Sequence, residues 1–291
     1  MSSAVSCRFR PSKRGKPLST NNRRVVCLAV EEYERCLRIW KNWSRSAPEE
    51  ITLRLGHYQF NQAYHSVRLE YTDLPFNVAN QLWETSKIAG FTGSIYSAIA
   101  LNNHKIASTL AEECLRDGEP LSVELICGLQ HALSCGLYDT QAYVYHEDRP
   151  GEYKNADQVE GLIDVGADPD EIEETIENLV QEMPHIADMN DTLVAGAYLH
   201  SRLLFLRPFA VANGLVSRLV MNYWLRTQGH PPIVIPCVEA ARYKQCLEQF
   251  DVQEDIEPLA LFLCDQVIGF WKDQMTAKEE RPNNPAFKLR F

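Results

Sequence analysis

The sequence predicts an all-α fold carrying one small β-hairpin. Two observations predict it. From Glu31 to about residue 275, apolar residues recur at the three- and four-residue spacings of amphipathic helices. Only the stretch 141–163 breaks that rhythm, with adjacent β-formers around a turn.

The first helix places Tyr33, Leu37, Trp40 and Trp43 on one face and stops at Pro48, because proline cannot continue a helix it does not begin. Helices follow near 50–69, 75–88, 92–117 and 121–136, punctuated by Gly118, Pro120 and Gly136. Tyr143, Val144 and Tyr145, then Asp148-Arg149-Pro150-Gly151, then Tyr153 and Val159, read as a β-hairpin with turn residues at its tip or base. Asp168-Pro169 is a cap and first-turn proline for a helix whose Ile172, Ile176, Leu179, Val180 and Met183 form one apolar stripe. The last four helices lie near 190–206, 214–228, 239–250 and 256–275, the second ending at Gly229-His230-Pro231-Pro232. The 190–206 and 214–228 segments are apolar on most faces, which places them at the centre of the bundle.

Charge is unevenly spread over the 291 residues. The net charge is −10, yet residues 1–30 hold Arg8, Arg10, Lys13, Arg14, Lys16, Arg23 and Arg24 and no acid. A basic, flexible tail on an acidic body is the expectation. An acidic body disfavours nucleic-acid binding, which needs clustered Lys and Arg, and leaves only the tail to touch an anionic partner. The nine cysteines include no C-x-x-C pair, so neither a zinc site nor a disulfide framework is expected. No apolar run approaches the roughly 18 residues that span a bilayer, so no membrane partner is expected and the cytoplasm is the expected location.

Between the two apolar helices lies Leu206-Arg207-Pro208-Phe209-Ala210-Val211-Ala212-Asn213-Gly214-Leu215-Val216-Ser217-Arg218. A short turn that feeds backbone N–H groups into a helix start suits an anion. This stretch resembles the Fic family signature H-P-F-x-D/E-G-N-G-R-x-x-R. Upstream, Ala197-Tyr198-Leu199-His200 is similar to the helix leading into that signature, and Leu219-Val220-Met221-Asn222, Tyr243 and Asp255-Ile256-Glu257-Pro258-Leu259 follow as in the family. Pro150-Gly151-Glu152-Tyr153-Lys154 resembles the start of the Fic flap, and Ser66-Val67-Arg68-Leu69-Glu70-Tyr71 resembles the inhibitory helix.

The resemblance implies a Fic-type helical bundle with a hairpin flap. It also implies a reaction, transfer of AMP from ATP to a protein hydroxyl. A motif His acts as base, an acidic residue holds Mg²⁺, the G-N-G turn cradles phosphates, and two arginines bind the outer phosphates. Pro208, Phe209, Asn213, Gly214 and Arg218 match, but the base position is Arg207, the metal position Val211, the first glycine Ala212 and the first arginine Leu215. Arginine stays protonated near neutrality and valine offers no metal-binding oxygen. Losing a general base costs about 10²–10⁴-fold in rate.

The expectation is therefore a pseudoenzyme that binds a nucleotide such as ATP, a phosphate or a protein segment. Its phosphate-binding candidates are Arg207, Asn213, Gly214 and Arg218; Gly151, Tyr153 and Lys154 form the flap, and Ser66 and Glu70 the inhibitory-like pair. Mg²⁺ is not expected on the motif. One alternative is a divergent transferase with His65, His185 or His200 as substitute base. Another is a regulatory interaction module, including a homodimer. The chain then divides into the tail 1–30, an N-terminal helical region 31–135 with the inhibitory-like helix, a Fic-like core 136–276 and a C-terminal tail 277–291.

Overall fold

The computed structural model describes residues 20–279 apart from 47, 89, 161, 162 and 190. Its helices are α1 (Thr20–Ser46), α2 (Pro48–Glu70), α3 (Phe76–Thr85), α4 (Ile95–Asp117), α5 (Val123–Ser134), α6 (Ile172–Met189), α7 (Thr192–Leu206), α8 (Asn213–Thr227), α9 (Ala240–Gln253) and α10 (Glu257–Glu279). Residues 20–30, expected in a flexible tail, belong to α1, and the rest of that tail lies outside the described residues. Most of the C-terminal tail, from 280, also lies outside them.

Side-chain caps start several helices by satisfying N–H groups that no helical carbonyl can reach. Ser94 accepts from Tyr96 N–H, Ser122 from Leu125 N–H, Asp168 from Asp170 N–H and Asp191 from Leu193 N–H. Gly118 ends α4 at φ +74°, a conformation that costs glycine nothing.

The central pair is α7 and α8, as their apolar faces predict. α8 is buried along its length from Gly214 to Leu225, with α2, α4, α5 and α7 packed around it. α1 lies along α10, where Trp40 meets Trp271 edge-on at 5.1 Å and the Trp271 indole donates to Pro232 O at 2.7 Å. Burial of such large rings supplies much of the apolar stabilisation of a bundle.

The hairpin is present but displaced from its expected position. It comprises β1 (Gln158–Glu160) and β2 (Ile163–Val165), antiparallel, with Gln158 opposite Val165 and Glu160 opposite Ile163. Residues 141–145, expected within the β element, instead form one wide helical turn. Local polar contacts override β-propensity there: Asp139 accepts the Ala142 N–H at 2.8 Å, and Arg149 donates to Tyr143 O at 2.7 Å while its guanidinium lies 4.1 Å over the Tyr143 ring. Tyr143, Val144 and Tyr145 all stay exposed, so no sheet face is buried that could favour a strand. Among the described residues no helix is long and apolar enough to cross a membrane.

Candidate functional site

The link between α7 and α8 is a tight turn held from within by Asn213. Its side chain accepts the Phe209 N–H at 3.0 Å and donates to Phe209 O at 2.6 Å, so one amide closes both backbone groups of a fully buried residue. The turn needs two left-handed residues: Arg207 at φ +45° and Ala212 at φ +66°. Each non-glycine in that region costs on the order of 1–2 kcal/mol. The first turn of α8 therefore starts without a side-chain cap, leaving its N–H groups toward the site.

Glu70, at the end of α2, reaches this helix start. Its carboxylate accepts from Arg218 at 2.7 Å, and Arg218 also donates to Ser66 Oγ at 2.8 Å and Ser66 O at 3.0 Å. A Cβ on Gly214 would overlap Glu70 Oε1 and lie 3.1 Å from Arg218 Nη1. Gly214 is thus the opening through which the carboxylate meets the turn. Ser66, Glu70, Gly214 and Arg218, candidates from separate sequence segments, converge on one spot.

The flap straddles the same turn. Lys154 N–H donates to Pro208 O at 3.0 Å, Ala167 N–H to Leu206 O at 2.8 Å, and the Gln158 amide to Phe209 O and Ala210 O at 2.8 and 3.0 Å. Tyr153 stacks on Phe209 with ring centroids 5.7 Å apart. At Gly151, φ is +85° and a Cβ would approach His131 Cβ at 3.1 Å, so only glycine lets the flap lie this close to α5. Lys154 of the flap is buried. It is 3% exposed, its Nζ has no hydrogen-bond partner, and burial lowers its pKa against the fields of Asp157, Asp168 and Asp148.

Gln130 is a site residue the sequence did not single out. Fully buried on α5, it accepts the Gly151 N–H at 2.5 Å and donates to Val211 O at 3.3 Å, joining flap to motif turn. The available signal was a lone polar residue in the stripe of Ile126, Leu129 and Leu133. Tyr243, one of the residues that carry the family resemblance, holds its hydroxyl 2.6 Å from His200 Nε2.

The substitute-base candidates sit in different settings. His200 is fully buried and stacked on Tyr243, and burial, then the nearby Arg218, pushes its pKa down to about 3. His65 Nδ1 accepts the Cys237 N–H at 3.3 Å, with burial again lowering its pKa. His185 is exposed on α6. Arg207 is half-buried and already engaged within the chain. Val211 has no side-chain donor, and among the described residues no group of three His, Cys, Asp or Glu could hold a metal ion. The residues present do not fit a motif-bound Mg²⁺.

A central helix pair, an asparagine-braced turn, a hairpin laid across it and an acidic residue entering from α2 define the Fic, or Fido, domain. The Fic/DOC family model matches residues 120–225, so this stretch of the chain is a Fic domain. That match begins before α5, a helix the sequence division places in the N-terminal region. Protein adenylyltransferase Fic of Drosophila persimilis is 38% identical over 69 residues, covering 24% of this chain and 13% of that protein. The Drosophila erecta counterpart is 35% identical over 81 residues, covering 28% and 16%. The matches thus span less than a fifth of these relatives' length. Among solved structures, a Fic domain containing signaling protein from Bacteroides thetaiotaomicron superposes with a TM-score of 0.73 at 22% identity, over 86% of this chain and 98% of that one. Fic-1 from C. elegans gives 0.72 at 16% identity, over 89% and 75%. At these identities the likeness is one of fold.

Proposed function

We propose that this chain is a Fic pseudoenzyme, which binds a nucleotide or phosphate group at the α8 start and a protein segment at the flap without transferring AMP. The observation that carries this reading is the composition of the motif turn. The scaffold residues Asn213, Gly214 and Arg218 are in place, whereas the base and metal positions hold an engaged arginine and a valine. Arg207 cannot accept a proton at neutral pH, and Val211 cannot hold a cation beside a triphosphate. His200 is an unfavourable replacement base, since both burial and Arg218 oppose its protonation.

A phosphate arriving at the α8 start would meet the N–H groups of its first turn and the Arg218 guanidinium, in competition with Glu70. Binding therefore involves displacing a carboxylate rather than filling open space. We place the protein in a reducing cytoplasm, in keeping with seven described cysteines that are all free. Its working units on this reading are the basic tail, the helical region carrying α2 and a Fic-like core.

Calorimetry and thermal shift with ATP, ADP and AMP, each with and without Mg²⁺, test the binding. The expected result is nucleotide stabilisation without a Mg²⁺ requirement and no labelled product from α-labelled ATP. Chain-dependent labelled product, lost in Asn213→Ala, would overturn the reading in favour of a divergent transferase. If no nucleotide binds and partners are captured only through residues 1–30, the interaction-module reading stands instead.

A further inference from the structure

The face on which α2 meets α8 is lined with polar residues. Residues four apart share one side of a helix, and here they are Gln62, Ser66 and Glu70 on α2 and Arg218, Asn222 and Arg226 on α8. Ion pairs close both ends of this seam, Arg218 with Glu70 at the motif turn and Arg226 with Glu112 of α4. Its middle is Gln62. That residue is 3% exposed, and among the described residues neither its Nε2 nor its Oε1 has a hydrogen-bond partner.

Two cavities flank the Gln62 amide. One lies between Gln62, Ser66, Arg218 and Asn222, the other between Gln62, Ser108, Asn222, Glu112 and Arg226, and each has room for about one water. The polar groups around them keep bonding capacity. Asn222 bonds the C=O and N–H of Ile233, which leaves it a second amide N–H. Ser66 Oγ accepts from Arg218 Nε at 2.8 Å and retains a hydroxyl proton to donate. On α4, His104 Nδ1 lies 3.2 Å from Ser108 Oγ, and His104 Nε2 is a further buried atom without a hydrogen-bond partner.

Size and polarity select the ligand. A nucleotide or other organic molecule is too large, and in the first cavity a metal cation would lie against the Arg218 guanidinium with no carboxylate lining the space. Apolar cavities stay dry, but leaving both ends of a buried amide unpaired is more unfavourable than immobilising a water that pairs them.

We propose that Gln62 holds buried water in the seam between α2 and α8, and that this water solvates Arg218 when the guanidinium gives up Glu70 for a phosphate. The exchange rests on the reading of the α8 start as a phosphate site, whereas the water does not. Arg218 is a buried cation, and a cation stripped of its carboxylate in a dry interior is strongly disfavoured. Water on the cavity side is a partner that stays while the carboxylate leaves. Gln62 is thus a positioning residue that acts on Arg218 through water.

Nuclear magnetic resonance on the full chain reads the water directly. Nuclear Overhauser transfer from water to the Gln62 side-chain amide and to the Arg218 Nε–H is expected, and xenon, which enters dry apolar cavities, should leave the methyl signals of Met221 and Ile233 unmoved. No transfer, or a xenon shift at those methyls, would overturn the proposal. Transfer to Arg218 should disappear in Gln62→Met, which keeps the length but not the hydrogen bonds, and survive in Gln62→Asn. Its persistence in Gln62→Met would mean that Gln62 does not hold the water. Melting of Gln62→Met, Glu70→Gly and the double variant reads the coupling to Arg218. The drop in Tm caused by Gln62→Met should be roughly twofold larger when Glu70 is absent, and equal drops would overturn the role in the exchange. With inorganic phosphate as the probe, Gln62→Met should bind roughly threefold more weakly than the wild type, and equal affinity would overturn that role as well. If the wild type binds no phosphate, the reading of the α8 start fails and the exchange fails with it. The water transfer distinguishes that outcome from failure of the water site itself.

Discussion

Arg218 of α8 and Glu70 of α2 meet at 2.7 Å across 148 residues of chain, one partner buried and the other partly open, with side-chain exposures of 5% and 39%. That asymmetry bounds what the pair is worth. An exposed pair contributes at most about 1 kcal/mol, whereas stripping one partner from a buried pair costs about 3–5 kcal/mol. Arg218 would keep Ser66 after loss of Glu70, which places the effect between those limits. Glu70→Gly is therefore expected to lower the melting temperature and to yield no AMP transfer. Thermal melts and a labelled-ATP assay on the same preparation check both. Activity gained without loss of stability would remove the structural role.

Gly214 makes a sharper test, because the sign of its substitution depends on Glu70. Alanine is favoured over glycine inside a helix by about 1 kcal/mol. In the intact protein, however, the new Cβ would collide with the Glu70 carboxylate. Gly214→Ala is expected to destabilise the wild type yet to be neutral or stabilising in a Glu70→Gly background. A double-mutant cycle by denaturant unfolding measures this coupling. Additive effects would mean that the two residues do not touch.

The amino-acid sequence makes these contacts partly legible, and the reason is chemical. α7 and α8 announce themselves because burial on most faces requires apolar residues almost throughout. Glu70 and Arg218 can be paired only through a family resemblance, since nothing local ties residues 148 apart. Gln130 stays hidden because one glutamine in an apolar stripe does not say which loops it joins. The 141–145 stretch departs from the expected strand because its β-formers stay exposed, and there Asp139 and Arg149 decide the backbone. The burial of Lys154 in the flap is hard to foresee, because long charged side chains are seldom fully buried.

Three buried histidines predict acid sensitivity. Burial pushes His104 and His200 down to about 3 and His230 to about 4, all below the ordinary 6.5. Between those values the unfolded chain binds more protons than the folded one. The stability from keeping these rings neutral is thus complete above pH 6.5 and is lost as pH falls toward 3. Each contributes a slope of about 1.4 kcal/mol per pH unit once well below 6.5. Melting temperature should fall between pH 6.5 and 5, and His200→Asn should flatten that slope whatever its effect at pH 7.5. An unchanged slope would mean that His200 titrates alike in both states.

Ala212 stands where the resemblance places the first glycine of the motif, and it adopts the left-handed backbone that glycine would adopt freely, at φ +66°. An alanine there is strained by about 1–2 kcal/mol. Ala212→Gly relieves that strain but loosens the unfolded chain, which offsets about 0.4–1 kcal/mol of the gain. The surplus favours the glycine, so the variant should melt at a higher temperature than the wild type, by an amount worth up to about 1.5 kcal/mol. Arg207 is a useful contrast. It too is left-handed, at φ +45°, but its side chain is engaged within the chain, so Arg207→Gly removes an interaction along with the strain. Ala212→Gly should therefore stabilise more than Arg207→Gly when both are measured by denaturant unfolding. If neither variant gains stability, the turn between α7 and α8 does not hold these two residues in the left-handed region. If Ala212→Gly gains stability and still transfers no AMP, the missing base and metal ligand, rather than turn geometry, separate this chain from an active enzyme.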